Sequence, residues 1–381
     1  MKQARFASVP NARMRILHCI PTLGGGAAAR QLAYVAEEMA ARGLEIHIAH
    51  LRDGANTARI ARSTATLHRI GCAGNYDPRI FGALMRLVLE LRPHVVQTWL
   101  PQMDILAGTA ALVLGVPFVL AERSCEAAYG PGWKNRVRST LGLRASAVVA
   151  NSEGGDAYWA GQGYKGIARV IRNGIPMDEI ESGAAPTPIA GLDEDSPLLV
   201  CAGRFSAEKN IPTVLAAMTS VWDRHPDLRV VIFGEGPLER EIAALCAAID
   251  PGSRRLRLLG YTAELWAWLR RADVFVSASA FEGNPNTVLE AAASGCPMVL
   301  SDIAAHREIL DRDCAWIVSA DSPEPIASAI CEAIANPALA SGKAARARAR
   351  VAAHGVAEVT SQYIDLYAGL IRAARPQLAA K

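Results

Sequence analysis

The sequence predicts an α/β protein made of two doubly wound, Rossmann-like halves, each around a parallel sheet, followed by a C-terminal helix. Three observations predict this. Short apolar runs alternate with helical patterns along nearly the whole chain, and such alternation implies right-handed βαβ units. The alternation pauses once, at Ser182–Pro197, a small, acidic, Pro-bearing stretch that reads as an interdomain linker. At 381 residues the chain also exceeds one ordinary core, so two domains of roughly 150–200 residues are expected.

In the first half, strands are expected at Arg15–Ile20, Glu45–Leu51, Val95–Thr98, Pro117–Ala121, Ala147–Ala150 and Arg169–Ile171, with helices such as Ala27–Ala41 and Phe81–Leu91 among them. The longest apolar run, Ile105–Ala121, is interrupted by Gly108, Gly115 and Pro117 and falls just short of a bilayer span. It reads as a helix over 105–114, a Gly-Val-Pro turn and a buried strand. The second half repeats the pattern. Its strands are Leu198–Ala202, Arg229–Phe233, Leu256–Leu259, Val274–Ala278, Pro297–Leu300 and Ala315–Val318. Its helices are Ile211–Arg224, Leu238–Ile249, Ala263–Arg270 and Thr287–Ala293. Val356–Ala374 is amphipathic with helical period. The stretch before Met14 is polar and basic, unlike a secretory signal, and reads as an extension ahead of the first strand; whether the chain starts at Met1 or Met14 stays open.

Composition excludes several classes. With 51% hydrophobic and 20% charged residues the chain is not disordered, collagenous or a small disulfide scaffold. A net charge of +3 is too balanced for a bulk nucleic-acid binder. That total hides two halves of opposite sign, +8 over 1–180 and −5 over 181–381. A basic half suits an anionic partner or a membrane surface; the bland reading is drift in a chain where 34 of 40 basic residues are Arg. The eight Cys are scattered with no C-x-x-C pair, which suggests neither a zinc site nor a redox motif and fits reduced thiols in a cytoplasmic protein.

Three constellations carry chemistry. Gly24-Gly25-Gly26 follows the first strand and precedes a helix, where glycines allow close approach and free N–H groups suit a phosphate. Gly24-x-Gly26-x-x-Ala29 also matches a dinucleotide fingerprint, for which Asp53 would be a late ribose ligand. Next, Gly203-Arg204-Phe205-Ser206-Ala207-Glu208-Lys209 follows the first strand of the second half. Arg204 and Lys209 there would neutralise a diphosphate, one as a fork and one as a point charge. The most specific is Glu282-Gly283-Asn284-Pro285-Asn286-Thr287-Val288-Leu289-Glu290. Two glutamates flank a loop that opens a helix, with Asn286 or Thr287 as its cap and its first amides facing a phosphate. Glu290 is placed to accept from ribose hydroxyls, and Glu282 to reach the sugar beyond the diphosphate. The basic-aromatic segment Tyr129-Gly-Pro-Gly-Trp133-Lys134-Asn-Arg136-Val-Arg138 has the composition of a membrane-interface helix.

With these residues the chain resembles the retaining GT-B glycosyltransferases of family 4. The resemblance rests on Glu282…Glu290, then Ala293-Ser294-Gly295-Cys296-Pro297 and Ser301-Asp302; on Gly203, Arg204 and Lys209; on Asn173-Gly174-Ile175; and on Gly234-Glu235-Gly236-Pro237. It spans about Met14 to Tyr367. It implies two Rossmann-like domains facing a cleft. Residues 1–180 would bind the acceptor, 181–355 the nucleotide sugar, and 356–381 would form a helix crossing back to the first domain. Arg204 and Lys209 would hold the diphosphate of a UDP- or GDP-sugar, helped by amides near Asn286 and Thr287. Glu290 would bind ribose, and Glu282 would touch the donor sugar as positive charge develops there. Gly25 and Gly26 would close over the diphosphate, while Gly234 and Tyr261 would lie by the base. Gly283 and Asn284 form the donor loop, where many members have Phe-Gly. Where many members carry a His near the donor sugar, this chain has Glu122 and Arg123, the acceptor-side candidates. No cofactor and no metal are implied, and no Asp-x-Asp motif occurs near the site. The implied partners are a nucleotide sugar and a glycan or polyprenyl-diphosphate acceptor, with peripheral contact at the inner membrane face and no nucleic acid. The alternatives are an oxidoreductase using Gly24–Ala29 and a non-catalytic nucleotide-sugar binder.

Overall fold

The computed structural model describes residues 14–130, 132–189, 192, 193, 195–252 and 254–378, without the side chains of 375–378. The extension expected before Met14 lies outside them, as do Pro131 and residues 190, 191 and 194 of the expected linker. The chain divides into two compact units, one comprising residues up to Gly174 together with those from Val356 onward, the other Ile175–Gly355.

Among the described residues, unit 1 is built on seven parallel strands: β1 (Arg15–Thr22), β2 (Glu45–Arg52), β3 (Thr66–Arg69), β4 (Val95–Trp99), β5 (Phe118–Glu122), β6 (Ala147–Ala150) and β7 (Ile167–Val170). Their order is β3-β2-β1-β4-β5-β6-β7. Period-2 alternation sends Ile16 and Ile20 of β1 into one apolar layer and Leu17 and Cys19 into the other. The first layer is completed by the terminal helix Val356–Leu378, whose Val359, Tyr363, Tyr367 and Leu370 recur at helical spacing and are buried. The expected run 105–121 resolves into a helix Pro101–Leu114, with Pro in its first turn and a left-handed Gly115 ending it, and then β5.

Among the described residues, unit 2 holds six parallel strands: β8 (Leu198–Ala202), β9 (Arg229–Phe233), β10 (Leu256–Leu259), β11 (Val274–Ser277), β12 (Met298–Ser301) and β13 (Trp316–Val318), ordered β10-β9-β8-β11-β12-β13. Val200, Val231 and Phe275 face one buried layer; Leu199, Val230 and Val276 face the other. Both sheets therefore have a topological switch point, β1 beside β4 and β8 beside β11, where successive connections leave in opposite directions. Crevices at the carboxyl ends of such strand pairs are where open α/β sheets bind ligands.

Two expectations need correction. Strand β3 was not anticipated: Thr66–Arg69 is a short, half-exposed edge strand whose polar residues give no apolar signal. Ser182–Pro197 is not the junction. The chain leaves unit 1 at Gly174 and re-enters it at Val356, and the described part of that stretch is fastened within unit 2. Arg270 donates to the carbonyls of Ile180, Gly183 and Ala184, Thr187 is clasped by Glu264, and Arg271 donates to Ser196 O. A Pro-rich, acidic composition reads as linker, but here it is a strap laid along the helix Leu265–Arg271. In unit 1, Gly174 is gripped by Gln31, whose amide donates to Gly174 O (3.0 Å) and accepts from Gly174 N (2.7 Å).

Candidate active site

The Arg204–Lys209 loop leaves β8 and the Glu282 loop leaves β11, so the β8/β11 crevice collects both charged motifs of unit 2. After β8 the chain makes one 3-10 turn, Ala207–Lys209. Ala280 N donates to Glu208 O (2.8 Å), tying that turn to the loop after β11. Lys209 Nζ then meets Glu282 Oε1 at 2.5 Å. Ser279 Oγ donates to the same oxygen at 2.8 Å. Arg204 is exposed beside them in sequence. The two motifs singled out separately from the sequence are thus one ion pair at the switch point. Its side chains are 20% and 13% exposed, so it is screened but reachable.

Glu282 precedes the helix Asn286–Ala293, which carries Glu290 on its second turn, 4% exposed. The cap is a correction. Pro285 holds that position, where it offers no capping side chain, and Asn286 and Thr287 are the first helical residues. Asn284 and Asn286 are buried, as is Gly283.

Gly234 explains itself structurally. Its φ is +151°, and a Cβ there would lie 1.9 Å from Gly203 O and 2.8 Å from the Phe205 ring. The turn after β9 is pressed against the Arg204 loop, with Phe205 N donating to Glu235 O (2.9 Å). The next loop continues this row: Glu235 accepts from Tyr261 N (3.3 Å). Tyr261, more than half exposed, lines a recess of about 260 Å³ with Phe233, Leu259, Trp268 and the strap residues Thr187 and Ile189.

Unit 1 supplies the remaining candidates. Gly25 and Gly26 are exposed at the β1 end, and Gly26 precedes the helix Ala27–Ala41 with no side-chain cap. Close packing fixes this loop too: a Cβ on Gly54 would lie 2.5 Å from Gly24, and Asn56 Nδ2 donates to Gly24 O (2.5 Å). Asp53, the acidic residue a dinucleotide enzyme needs, is paired with Arg69 at 3.1 Å.

Glu122 is fully buried at the end of β5 and saturated. Its Oε1 accepts from Arg123 N (2.9 Å), Ser124 N (3.0 Å) and Tyr129 OH (2.5 Å). Its Oε2 accepts from Arg138 Nη2 (2.8 Å) and Trp159 Nε1 (3.0 Å). Such a carboxylate has no capacity left for an acceptor hydroxyl. Arg123 lies over the Trp99 ring at 5.0 Å and donates to Asn173.

Sequence reasoning missed Arg138 as an internal residue. It bridges Glu122 and Asp104, the latter at 2.7 Å, and is 2% exposed. Burial lifts the Asp104 carboxyl above the usual range although Arg138 opposes the shift. Burial works against the charge of the Arg138 guanidinium, but Asp104 and Glu122 on either side outweigh it and raise its pKa. Read as a surface segment, Tyr129–Arg138 is in fact divided. Tyr129 and Arg138 turn inward, while Trp133 (69% exposed), Lys134, Arg136 and Val137 turn outward. Tyr76, distant in sequence and 79% exposed, joins that outer face by accepting from Lys134 Nζ at 2.5 Å.

Residues 24–179 match the family described as Glycosyltransferase Family 4, and residues 196–336 match Glycosyl transferases group 1. The chain belongs to the group 1/family 4 glycosyltransferases. Among curated relatives, the lipopolysaccharide core biosynthesis mannosyltransferase LpcC of Rhizobium leguminosarum bv. viciae is 29% identical over 208 residues, 52% of this chain and 56% of that protein. An Escherichia coli UDP-Gal:alpha-D-GlcNAc-diphosphoundecaprenol alpha-1,3-galactosyltransferase is 31% identical over 140 residues, 35% of this chain and 36% of its own. The chain thus spans about half or less of the length of these relatives. The crystal structure of Anabaena Alr3699/HepE in complex with UDP and glucose superposes with a TM-score of 0.82 at 16% identity, covering 94% of this chain and all of that one. The two parallel Rossmann-like sheets of this chain match the GT-B structures.

Proposed function

We propose that the chain is a retaining, metal-independent glycosyltransferase that moves a hexose or N-acetylhexosamine from a UDP- or GDP-sugar to a glycan or lipid-linked acceptor in surface polysaccharide synthesis. The observation that carries this reading is the Lys209–Glu282 pair at the β8/β11 crevice. Support comes from LpcC, named a mannosyltransferase, from the galactosyltransferase named for a diphosphoundecaprenol acceptor, and from the neighbour holding UDP and glucose.

The chemistry follows from charge. The bond from the anomeric carbon to the diphosphate oxygen breaks, and the acceptor hydroxyl attacks from the same face. Its proton passes to the departing phosphate oxygen. Arg204 and Lys209 neutralise the negative charge that grows on the leaving group, and Glu282 faces the positive charge that grows on the sugar. Glu290 holds the ribose, Gly234 and Tyr261 border the base, and Gly283, Asn284, Asn286 and Thr287 form the donor loop. Lys209 is shared by Glu282 until the diphosphate arrives, and Ser279 keeps the carboxylate in place when it does. On the acceptor side the reading keeps Arg123, with Gly25 and Gly26 as the glycine loop of unit 1.

A panel of UDP, GDP, ADP and NAD tests this by thermal shift, since a ligand that binds only the folded state raises stability. UDP or GDP should stabilise the protein, and Lys209→Ala should weaken that binding by about 10- to 100-fold, the worth of a hydrogen bond to a charged group. Stabilisation by NAD alone would transfer the case to the oxidoreductase reading.

The outward face of Trp133, Lys134, Arg136, Val137 and Tyr76 supports peripheral contact with an anionic membrane. Among the described residues no helix is long and apolar enough to cross one. The protein should co-sediment with phosphatidylglycerol vesicles at low salt and less at high salt. Trp133→Ala with Lys134→Ala should remove most of that binding. Equal pelleting with neutral vesicles, or none with either, would contradict it.

A further inference from the structure

Behind Glu282 and Ser279 lie two buried polar side chains, Ser301 and His306, that the proposed chemistry leaves unused. Ser301 Oγ, at the end of β12, donates to Ser279 O at 2.6 Å. His306, on the short helix Ala304–Ile309, places Nδ1 2.8 Å from Ser301 O and 3.2 Å from Ser301 Oγ. A carbonyl only accepts, so Nδ1 carries the imidazole proton and Nε2 is a bare lone pair. Ser279, Ser301 and His306 are 1%, 3% and 0% exposed. Burying polar groups is costly unless they are hydrogen-bonded, and a connected network resists distortion more than isolated pairs do. The cost is not fully offset here, because among the described residues His306 Nε2 is buried with no hydrogen-bond partner. An apolar side chain at 306 would avoid that cost, so the polar line has to earn its place through what it holds.

What it holds is the carboxylate. Ser279 is fixed from both ends: its carbonyl by Ser301, and its hydroxyl on Glu282 Oε1. Lys209 occupies the same oxygen, so the line and the lysine together set the carboxylate's angle. We propose that Ser301 and His306 are positioning residues for Glu282, holding it at the orientation that meets the donor sugar in the transition state. This rests on the glycosyltransferase reading above and adds to it two residues that touch neither donor nor acceptor. The geometry has electrostatic support. Burial lowers the His306 pKa and keeps the imidazole neutral, with the Ser301 carbonyl and the Glu282 charge opposing that shift and the Lys209 charge adding to it.

The test is turnover with the sugar donor the wild-type protein uses, found among UDP-glucose, UDP-galactose, UDP-N-acetylglucosamine and GDP-mannose by release of nucleoside diphosphate. Positioning acts on the transition state, so His306→Leu and Ser301→Ala should each lower kcat about 10- to 100-fold with donor KM within about threefold. His306→Asn, whose amide can donate where Nδ1 does, should recover most of the loss. In a Glu282→Gln background His306→Leu should have little further effect, because residues acting through one group are not additive. Losses that track the folded fraction, equal damage from Asn and Leu, or full additivity with Glu282→Gln would overturn the proposal. Normal kcat in His306→Leu beside an inactive Glu282→Gln would overturn this inference alone. An active Glu282→Gln would instead overturn the underlying reading.

Discussion

Glu282→Gln is expected to lower glycosyl transfer by about 100- to 1000-fold, the usual loss when a preorganised group facing transition-state charge is removed. The substitution keeps the shape of the side chain. Its amide oxygen can still accept from Ser279 and Lys209, which donate at 2.8 and 2.5 Å in the native protein. What disappears is the negative charge. Binding of UDP or GDP should therefore persist within about threefold, or tighten, since Lys209 is no longer held by a carboxylate. Calorimetry on the nucleotide and steady-state rates on the sugar donor separate the two effects. A variant that transfers normally would remove Glu282 from the mechanism. One that loses nucleotide binding in proportion to rate would make it a binding residue only.

The second large effect lies in unit 1. Arg138→Met should destabilise that unit by about 3–5 kcal/mol, the cost of removing one partner from a buried ionic cluster. The guanidinium is held at 2.7 Å from Asp104 and 2.8 Å from Glu122. The Tyr129 and Trp159 rings lie 4.9 and 5.2 Å away. All three charged side chains are at most 2% exposed. Without Arg138, burial would push the Asp104 carboxyl, already raised, further toward its neutral form. Asp104→Asn in the same chain should recover part of the loss. Amide hydrogen exchange reads this best, because it follows β4 and β5 apart from unit 2. Loss of protection under about 1 kcal/mol would show the cluster to be incidental.

How much of this was legible beforehand depends on which signal a residue leaves. Buried parallel strands leave continuous apolar runs, so the cores of β1, β2 and β8 to β12 could be placed nearly to the residue. Thr66–Arg69 leaves no such run, because an edge strand half in water tolerates Thr, His and Arg. The strap after Ser182 was misplaced because Pro and acidic residues mark irregular backbone without saying whether it is anchored. Its anchors are Arg270, Arg271 and Glu264, some 70 to 90 residues away. The charged motifs of unit 2 were legible as motifs, and Lys209 meeting Glu282 required only the strand order that places β8 beside β11. Glu122, Asp104 and Arg138 were not legible as a cluster. A charged residue in a basic, aromatic helix looks solvated until the fold turns one face inward, as it does with Arg138 while Trp133 and Lys134 face out. His306 leaves even less trace. Only the Ser301-Asp302 pair five residues before it was noticed, and its meaning depends on Ser279 arriving from β11.

Proton NMR of a nucleotide sugar with an acceptor sugar and the full chain follows donor loss, product and anomeric configuration in one sample. One of the UDP- or GDP-sugars should lose its anomeric signal as nucleoside diphosphate and a product of the same anomeric configuration appear, and Glu282→Gln should leave the donor intact over the same time. Donors that survive unchanged across the whole set, or a product of inverted configuration, would contradict it.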